Sequence, residues 1–373
     1  MSVKILISAN SSWNIFNFRL DLIKSLLRNN YKVVILTPLE DNYSKKLVNL
    51  GCIHYHISLN RKSLSPLKDF ILILQYKRIM KKLSPDVFLG FTIKPNIYGS
   101  IAANINRVPV INNLSGLGTV FIKGGLLKIF VMFAYKIALR KSLIILFQNI
   151  DDKNLFTSKR IVNLNKTKII NGSGIDLNYY KFSPIKKYNK YSIKFIYAGR
   201  LLWDKGIGEL VSSIIIIKKK YPLVRFQFVG ILDINNLSHI SKKQIQKWVD
   251  EKIIEYIDQK DDIRDYIKEA DCAILPSYRE GLPRFLLEAA SIGRPIICTD
   301  VPGCRHVVKD KYNGLLCLPR DVESLSSSIE EFINLSYDEI KKMGINGRKV
   351  VENYFDQKIV NSLYLKIINK IKK

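Results

Sequence analysis

Cys272-Ala273-Ile274-Leu275-Pro276-Ser277-Tyr278-Arg279-Glu280-Gly281-Leu282-Pro283-Arg284-Phe285-Leu286-Leu287-Glu288 carries the local grammar that decides how the chain is built. Its apolar opening, Cys272–Pro276, is too brief for a helix and reads as a buried strand. Gly281 then breaks the chain. Pro283 stands where a helix begins, since the N–H it lacks is an orphan there in any case. Phe285–Leu287 continue as a helix that ends near Gly293-Arg294-Pro295, a glycine followed by a proline. The product is a strand, a tight turn holding the Glu280 carboxylate, and a helix start with Glu288 a turn or so inside. In an open α/β sheet, ligands bind beyond the carboxyl ends of the strands. A helix N-terminus aimed there favours an anion such as a diphosphate.

The same alternation of strand and helix runs through the chain. Val3–Ser8 reads as a parallel-type strand, Ser11–Asn17 as a loop and Phe18–Leu27 as a helix. Further strands are expected at Lys32–Leu36, Ile53–Ile57, Val87–Phe91, Val108–Ile111 and Ser142–Phe147, separated by helices that include Pro66–Leu83 and a segment after Pro95. This predicts a doubly wound parallel sheet over residues 1–180. Asn171–Ser192 is polar and irregular, the best linker in the chain. A second series starts at Ile193–Ala198 and passes through strands at Arg225–Val229, Ile253–Ile257, Cys272–Pro276, Pro295–Cys298 and Gly314–Leu318. The expected architecture is α/β, with two Rossmann-like domains, 1–180 and 193–355, facing each other across a cleft and a final helix over 356–373.

The 373 residues suffice for two domains, and 47% hydrophobic content supports packed cores. The net charge of +28 is uneven. Residues 1–180 hold 26 Lys and Arg against 8 Asp and Glu, giving +18; residues 181–373 hold 34 against 24, giving +10. An anionic partner for the first half, such as a phosphorylated substrate, an acidic membrane surface or nucleic acid, accounts for this. So does a coding bias towards Ile, Lys and Asn. Nucleic acid is the weaker reading, because no RNP, KH or zinc-knuckle pattern accompanies the charge. Cys52, Cys272, Cys298, Cys304 and Cys317 are scattered and odd in number, which points to buried thiols in a reducing compartment. His54 and His56 share one strand face and lack further ligands for a metal. The start of the chain reads as a strand and not as a signal peptide. No stretch has the ~20 apolar residues of a membrane span. Leu126–Phe147 and Leu67–Leu83 mix apolar and basic residues, as a helix lying in a bilayer surface does and as a core helix with a basic outer face also does.

A second pattern, Ala198-Gly199-Arg200-Leu201-Leu202-Trp203-Asp204-Lys205-Gly206, follows the first strand of the second series. Arg200 and Lys205 supply two cations beyond that strand, suited to a departing nucleotide diphosphate whose negative charge grows as a glycosidic bond breaks. No G-x-G-x-x-G follows Val3–Ser8, so a nicotinamide cofactor is not expected.

Together these motifs resemble the Glu-x7-Glu and Gly-Arg-x4-Lys-Gly signatures of the retaining glycosyltransferases of family 4, which have the GT-B fold. The resemblance covers nearly the whole chain and is strongest over 197–318. Gly174-Ile175-Asp176, with Phe182 after it, is similar to the element that closes that family's first domain. The resemblance implies that the last helix, 356–373, crosses back to the first domain. It implies that Arg200 and Lys205 hold the diphosphate, Glu288 the ribose hydroxyls and Glu280 the donor sugar, with the backbone of Gly281, Leu282 and Pro283 in support. Glu280, Arg200 and Lys205 form the implied catalytic group. Ser11-Ser12-Trp13 departs from the glycine-rich turn of many members, and no His follows the fifth strand.

Phe91-Thr92-Ile93-Lys94-Pro95-Asn96 and Asn112-Asn113-Leu114-Ser115-Gly116-Leu117-Gly118 resemble the branch that extends lipid-linked oligosaccharides in bacteria. Lys94, Asn113 and Ser115 are then candidates for the acceptor side, or a helix start and a surface turn. The implied activity is transfer of a hexose or N-acetylhexosamine from a UDP-linked donor to a polyprenyl-diphosphate saccharide, by a cytoplasmic enzyme peripheral on the anionic inner face of the cell membrane. Asp151-Asp152 and Asp261-Asp262 are adjacent pairs without the spacing of metal ligands, so no cofactor or metal is expected. A nucleotide-sugar epimerase or a phosphorylase on the same fold is the alternative enzyme.

Overall fold

A computed structural model describes residues 3–38, 42–60, 65–118, 120–121, 124–186, 192–234, 236 and 238–371. The chain divides into two units, Met1–Gly174 with Gln357–Lys373, and Ile175–Asp356. The final helix therefore belongs with the first unit, which ends at Gly174. Residues 187–191 of the expected linker lie outside the described residues.

In the first unit seven parallel strands run in the order β3-β2-β1-β4-β5-β6-β7. They are β1 (Lys4–Ser8), β2 (Lys32–Thr37), β3 (Ile53–His56), β4 (Val87–Phe91), β5 (Val110–Leu114), β6 (Ile144–Phe147) and β7 (Thr167–Ile169). Because side chains alternate across a strand, the sheet feeds two cores. Ile5, Ile7, Val33, Ile35 and Leu89 pack under the helices Ser12–Arg28 and Gln357–Ile371; Leu6, Val34, Leu36 and Phe88 pack on the other face. Within the final helix Val360, Tyr364, Ile367 and Ile368 are buried.

Three sequence expectations shift here. The first helix begins at Ser12, not Phe18, with the Ser11 side chain accepting from the Asn14 N–H. Its buried positions Ile15, Arg19, Leu22, Ile23 and Leu26 hold helical spacing, with the charged Arg19 standing where the apolar pattern would continue. Strand β5 runs on to Leu114, so Asn112 and Asn113 sit inside a buried strand rather than in a loop. Strand β7, only three residues long, was not expected at all.

In the second unit six parallel strands run in the order β10-β9-β8-β11-β12-β13. They are β8 (Lys194–Ala198), β9 (Arg225–Val229), β10 (Glu255–Ile257), β11 (Cys272–Leu275), β12 (Ile296–Thr299) and β13 (Gly314–Cys317). In each unit the first strand lies third in the sheet, so the winding reverses between β1 and β4 and again between β8 and β11. Those two reversals are where crevices open at the strand ends.

Candidate active site

Strands β8 and β11 are hydrogen-bonded neighbours, and their carboxyl ends deliver the two charged motifs to one place. After β8 the chain passes Gly199 and Arg200 and makes a short turn at Trp203–Lys205 before the helix Ile207–Lys220. Gly206 makes that turn possible. Its φ is +70°, and a Cβ there would stand 2.0 Å from the Pro276 carbonyl oxygen, so the first motif lies flat on the second.

Lys205 Nζ contacts the Glu280 carboxylate directly. Ser277 Oγ donates to Glu280 Oε1 at 2.7 Å, and the Glu280 N–H donates to the Pro302 carbonyl at 3.2 Å. Gly303 (φ +88°) underlies this turn: a Cβ on it would come within 2.9 Å of the Glu280 carbonyl oxygen. Arg200 is more open, and its Nη1 donates to Asp233 Oδ2 at 3.2 Å. Each cation of the first motif is thus paired with a carboxylate of this unit.

The helix Arg284–Ile292 follows, with Pro283 at its N-cap and no side chain capping its first N–H groups. Those groups and the helix dipole suit an anion. Leu282 packs on the core below. Glu288, 8% exposed, is held by two donors to one oxygen: Tyr180 Oη at 2.8 Å and Arg284 Nε at 3.0 Å to Oε1. Burial, and then the Glu288 charge, pushes the Tyr180 phenol well above its ordinary pKa, so it stays a donor. Of the residues singled out from sequence, the structure brings Lys205 against Glu280 and leaves Arg200 and Glu288 with partners the sequence did not suggest: Asp233 for Arg200, Tyr180 and Arg284 for Glu288, as Ser277 is for Glu280. Only Arg284, four residues before Glu288 on one helix face, left a signal.

The first unit treats its candidates differently. Lys94 Nζ is paired with Asp69 Oδ1 at 2.6 Å, and Tyr98 Oη donates to Asp69 Oδ2 at 2.7 Å. Asn113 is buried and bonded, its Nδ2 donating to Tyr364 Oη at 2.7 Å and its Oδ1 accepting from Gln148 Nε2 at 3.2 Å. Ser115 follows β5 and is half-buried. These three do not form one cluster of side chains as Lys205 and Glu280 do.

The family model described as "Glycosyl transferases group 1" matches residues 181–350, and that described as "Glycosyl transferase 4-like" matches residues 4–149. The chain is 27% identical to the N,N'-diacetylbacillosaminyl-diphospho-undecaprenol alpha-1,3-N-acetylgalactosaminyltransferase of Campylobacter jejuni, over 96% of each chain. It is 24% identical to the UDP-Gal:alpha-D-GlcNAc-diphosphoundecaprenol alpha-1,3-galactosyltransferase of Escherichia coli, over 78% of this chain and 79% of that one. Among solved structures, Anabaena Alr3699/HepE in complex with UDP and glucose superposes with a TM-score of 0.79 at 18% identity, over 99% of this chain and 100% of that one. The two matches meet a pair of parallel sheets wound in one order, and on that ground the chain belongs to the group 1, family 4-like glycosyltransferases of the GT-B fold.

Proposed function

We propose that the chain transfers a hexose or N-acetylhexosamine from a UDP-sugar to a polyprenyl-diphosphate-linked saccharide, with retention of anomeric configuration, in the assembly of a bacterial surface glycan. The observation that carries this is the Lys205–Glu280 contact beside the uncapped N-terminus of the helix Arg284–Ile292. The names of the C. jejuni and E. coli relatives, both of which act on undecaprenyl-diphosphate saccharides, support the acceptor class.

In this reading Lys205, Arg200 and the helix N–H groups take the diphosphate, and Glu288 accepts from the ribose hydroxyls. The acceptor hydroxyl oxygen attacks the anomeric carbon on the face the diphosphate leaves. The bond from that carbon to the β-phosphate oxygen breaks, and the hydroxyl proton passes to a phosphate oxygen. Lys205 and Arg200 meet the charge that grows on the leaving group, which is where stabilisation accelerates the step. With two side-chain cations in that role we propose turnover without a metal, so that EDTA leaves the rate unchanged.

The first unit supports work at an acidic membrane surface. On the helix Gly125–Leu139, Leu126 (85% exposed), Ile129, Phe130, Phe133 (61%) and Ile137 form an outward stripe, flanked by Lys136 and Arg140. On Pro66–Leu83, Leu67 (70%), Phe70, Ile71 and Leu74 repeat the pattern beside Lys68, Lys77 and Arg78. Both helices pack on the Pro95–Ile105 segment. Among the described residues no helix is long and apolar enough to cross a membrane. Apolar stripes with basic flanks suit insertion to the depth of the lipid headgroups, each nearby Lys or Arg adding about 1 kcal/mol on an anionic surface.

The deciding experiment is calorimetry of a UDP-sugar panel against the wild type and Glu288→Ala. Binding by the wild type that Glu288→Ala loses is the expected result. Binding of DNA or RNA with no response to any UDP-sugar would overturn the reading.

A further inference from the structure

Glu288 projects from the middle of the helix Arg284–Ile292, and two donors reach its Oε1 from different parts of the chain. Arg284 Nε, at 3.0 Å, comes from one turn earlier on the same helix, the ordinary pairing of a helix face. Tyr180 Oη, at 2.8 Å, comes from 108 positions earlier. Nothing local brings it there. The turn that delivers it is tied to three other elements of the second unit.

The Tyr180 N–H donates to the Asp176 carbonyl at 2.8 Å, which closes the turn. Asp176 Oδ1 accepts from the N–H groups of Asn178 at 2.8 Å and Tyr179 at 3.1 Å. From the helix Arg264–Glu269, Arg264 Nη1 donates to the Tyr179 carbonyl at 3.1 Å, and its guanidinium lies 3.7 Å over the Tyr179 ring. From the helix Tyr337–Tyr354, Arg348 Nη1 donates to the Tyr180 carbonyl at 2.8 Å and to the Ser291 carbonyl at 3.0 Å. Ser291 lies on the helix that carries Glu288, so Arg348 ties the turn to the helix its tyrosine serves. Tyr180 and Glu288 are both buried.

We infer that Tyr180 and Arg284 are positioning residues, which hold the Glu288 carboxylate in the orientation that meets the ribose hydroxyls of the donor. This rests on the reading above that the second unit takes a UDP-sugar. A carboxylate accepts at about four lone-pair sites, so two donors on Oε1 do not exhaust it. Glutamate is among the side chains that lose most rotamer freedom when fixed. Held by its two donors, Glu288 loses that freedom on folding and not on binding, and such preorganisation tightens a complex. The two donors differ in kind. The guanidinium draws the carboxylate by charge along its own helix, whereas the phenol, which burial keeps protonated, supplies direction from another element.

The test compares UDP with 2′,3′-dideoxy-UDP, which lacks both ribose hydroxyls, by calorimetry on the full chain. The wild type is expected to bind UDP about tenfold more tightly, as a hydrogen bond to a charged acceptor gives. Tyr180→Phe removes the hydroxyl alone, and Arg284→Met removes the charge while keeping an unbranched stem. Each should shrink the preference to about threefold and leave affinity for the dideoxy probe within about twofold of the wild type. Arg284→Lys, which keeps a cation, should recover part of it. A residue that only stabilises the fold lowers the melting temperature and leaves the ratio of the two affinities alone. The proposal falls if Tyr180→Phe keeps the full preference, or if it weakens both nucleotides equally. It falls too if the wild type binds the two alike, and the donor reading then stands without Glu288 at the ribose. A wild type that binds neither nucleotide overturns the donor reading, and this inference with it.

Discussion

The two switch points share one winding and differ in chemistry. At β8/β11 the strand ends present Arg200, Lys205 and Glu280, charges that meet each other and Asp233. At β1/β4 the strand ends present Asn10 and Thr92, neutral groups with buried oxygens and no partner. One crevice matches each cation it presents with a carboxylate. The other holds Thr92 at φ +63° through the Asn96 N–H, and Asn96 is fixed in turn by an amide ladder that runs through Asn112 to Ser100 and Ser142. The lesson is that repeating a topology fixes where a ligand binds, while the residues placed there decide what it is.

Three changes test how far that contrast holds. The largest effect is expected from Lys205→Ala, which removes a cation from the departing diphosphate. It should lower kcat by about 10³-fold, near 4 kcal/mol, with the melting temperature little changed. A loss under tenfold in a steady-state assay would mean that the charge at β8/β11 is not where catalysis happens. Next is Asn112→Leu in the ladder of the first unit. Leaving Asn96, Ser100 and Ser142 short of partners should cost about 3 kcal/mol by urea unfolding. UDP binding in the second unit should persist below the transition; parallel loss of both would show that the units do not keep separate ligands. The smallest is Asp233→Asn. The Arg200–Asp233 pair is exposed and worth at most about 1 kcal/mol. Freeing Arg200 should tighten UDP about threefold by calorimetry, and weaker binding would make Asp233 a ligand group rather than a stand-in for one.

The second crevice was legible in the sequence and the first was not, for a physical reason. Strand, glycine turn and helix start are local events, and Gly206, Gly281 and Pro283 mark them within a few residues of the side chains they position. Glu280 and Lys205 could therefore be paired from spacing and resemblance alone. In the first unit the decisive facts are tertiary. Lys94 looks like an open cation until Asp69, 25 positions earlier, is seen to hold it. Asn112 and Asn113 have the composition of a turn, yet they lie in β5 because Asn96, Ser100, Ser142, Gln148 and Tyr364 satisfy their amides. The positive φ of Thr92 leaves no mark on composition. The start of the first helix at Ser12 was hidden for a similar reason, since it is set by the Ser11 side chain accepting from the Asn14 N–H while Trp13 stands exposed.

The polypeptide leaves the first unit after Gly174 and returns to it at Gln357. A Cβ on Gly174 would sit 2.4 Å from the Gln357 Cα, so the outgoing and returning chains run in contact there. During synthesis the second unit thus has all its strands before the first unit receives its returning helix. That returning helix brings Tyr364, whose hydroxyl takes the Asn113 amide in the ladder behind the first crevice. A chain stalled before that helix keeps both charged motifs of the second unit and lacks the Tyr364 brace on Asn113.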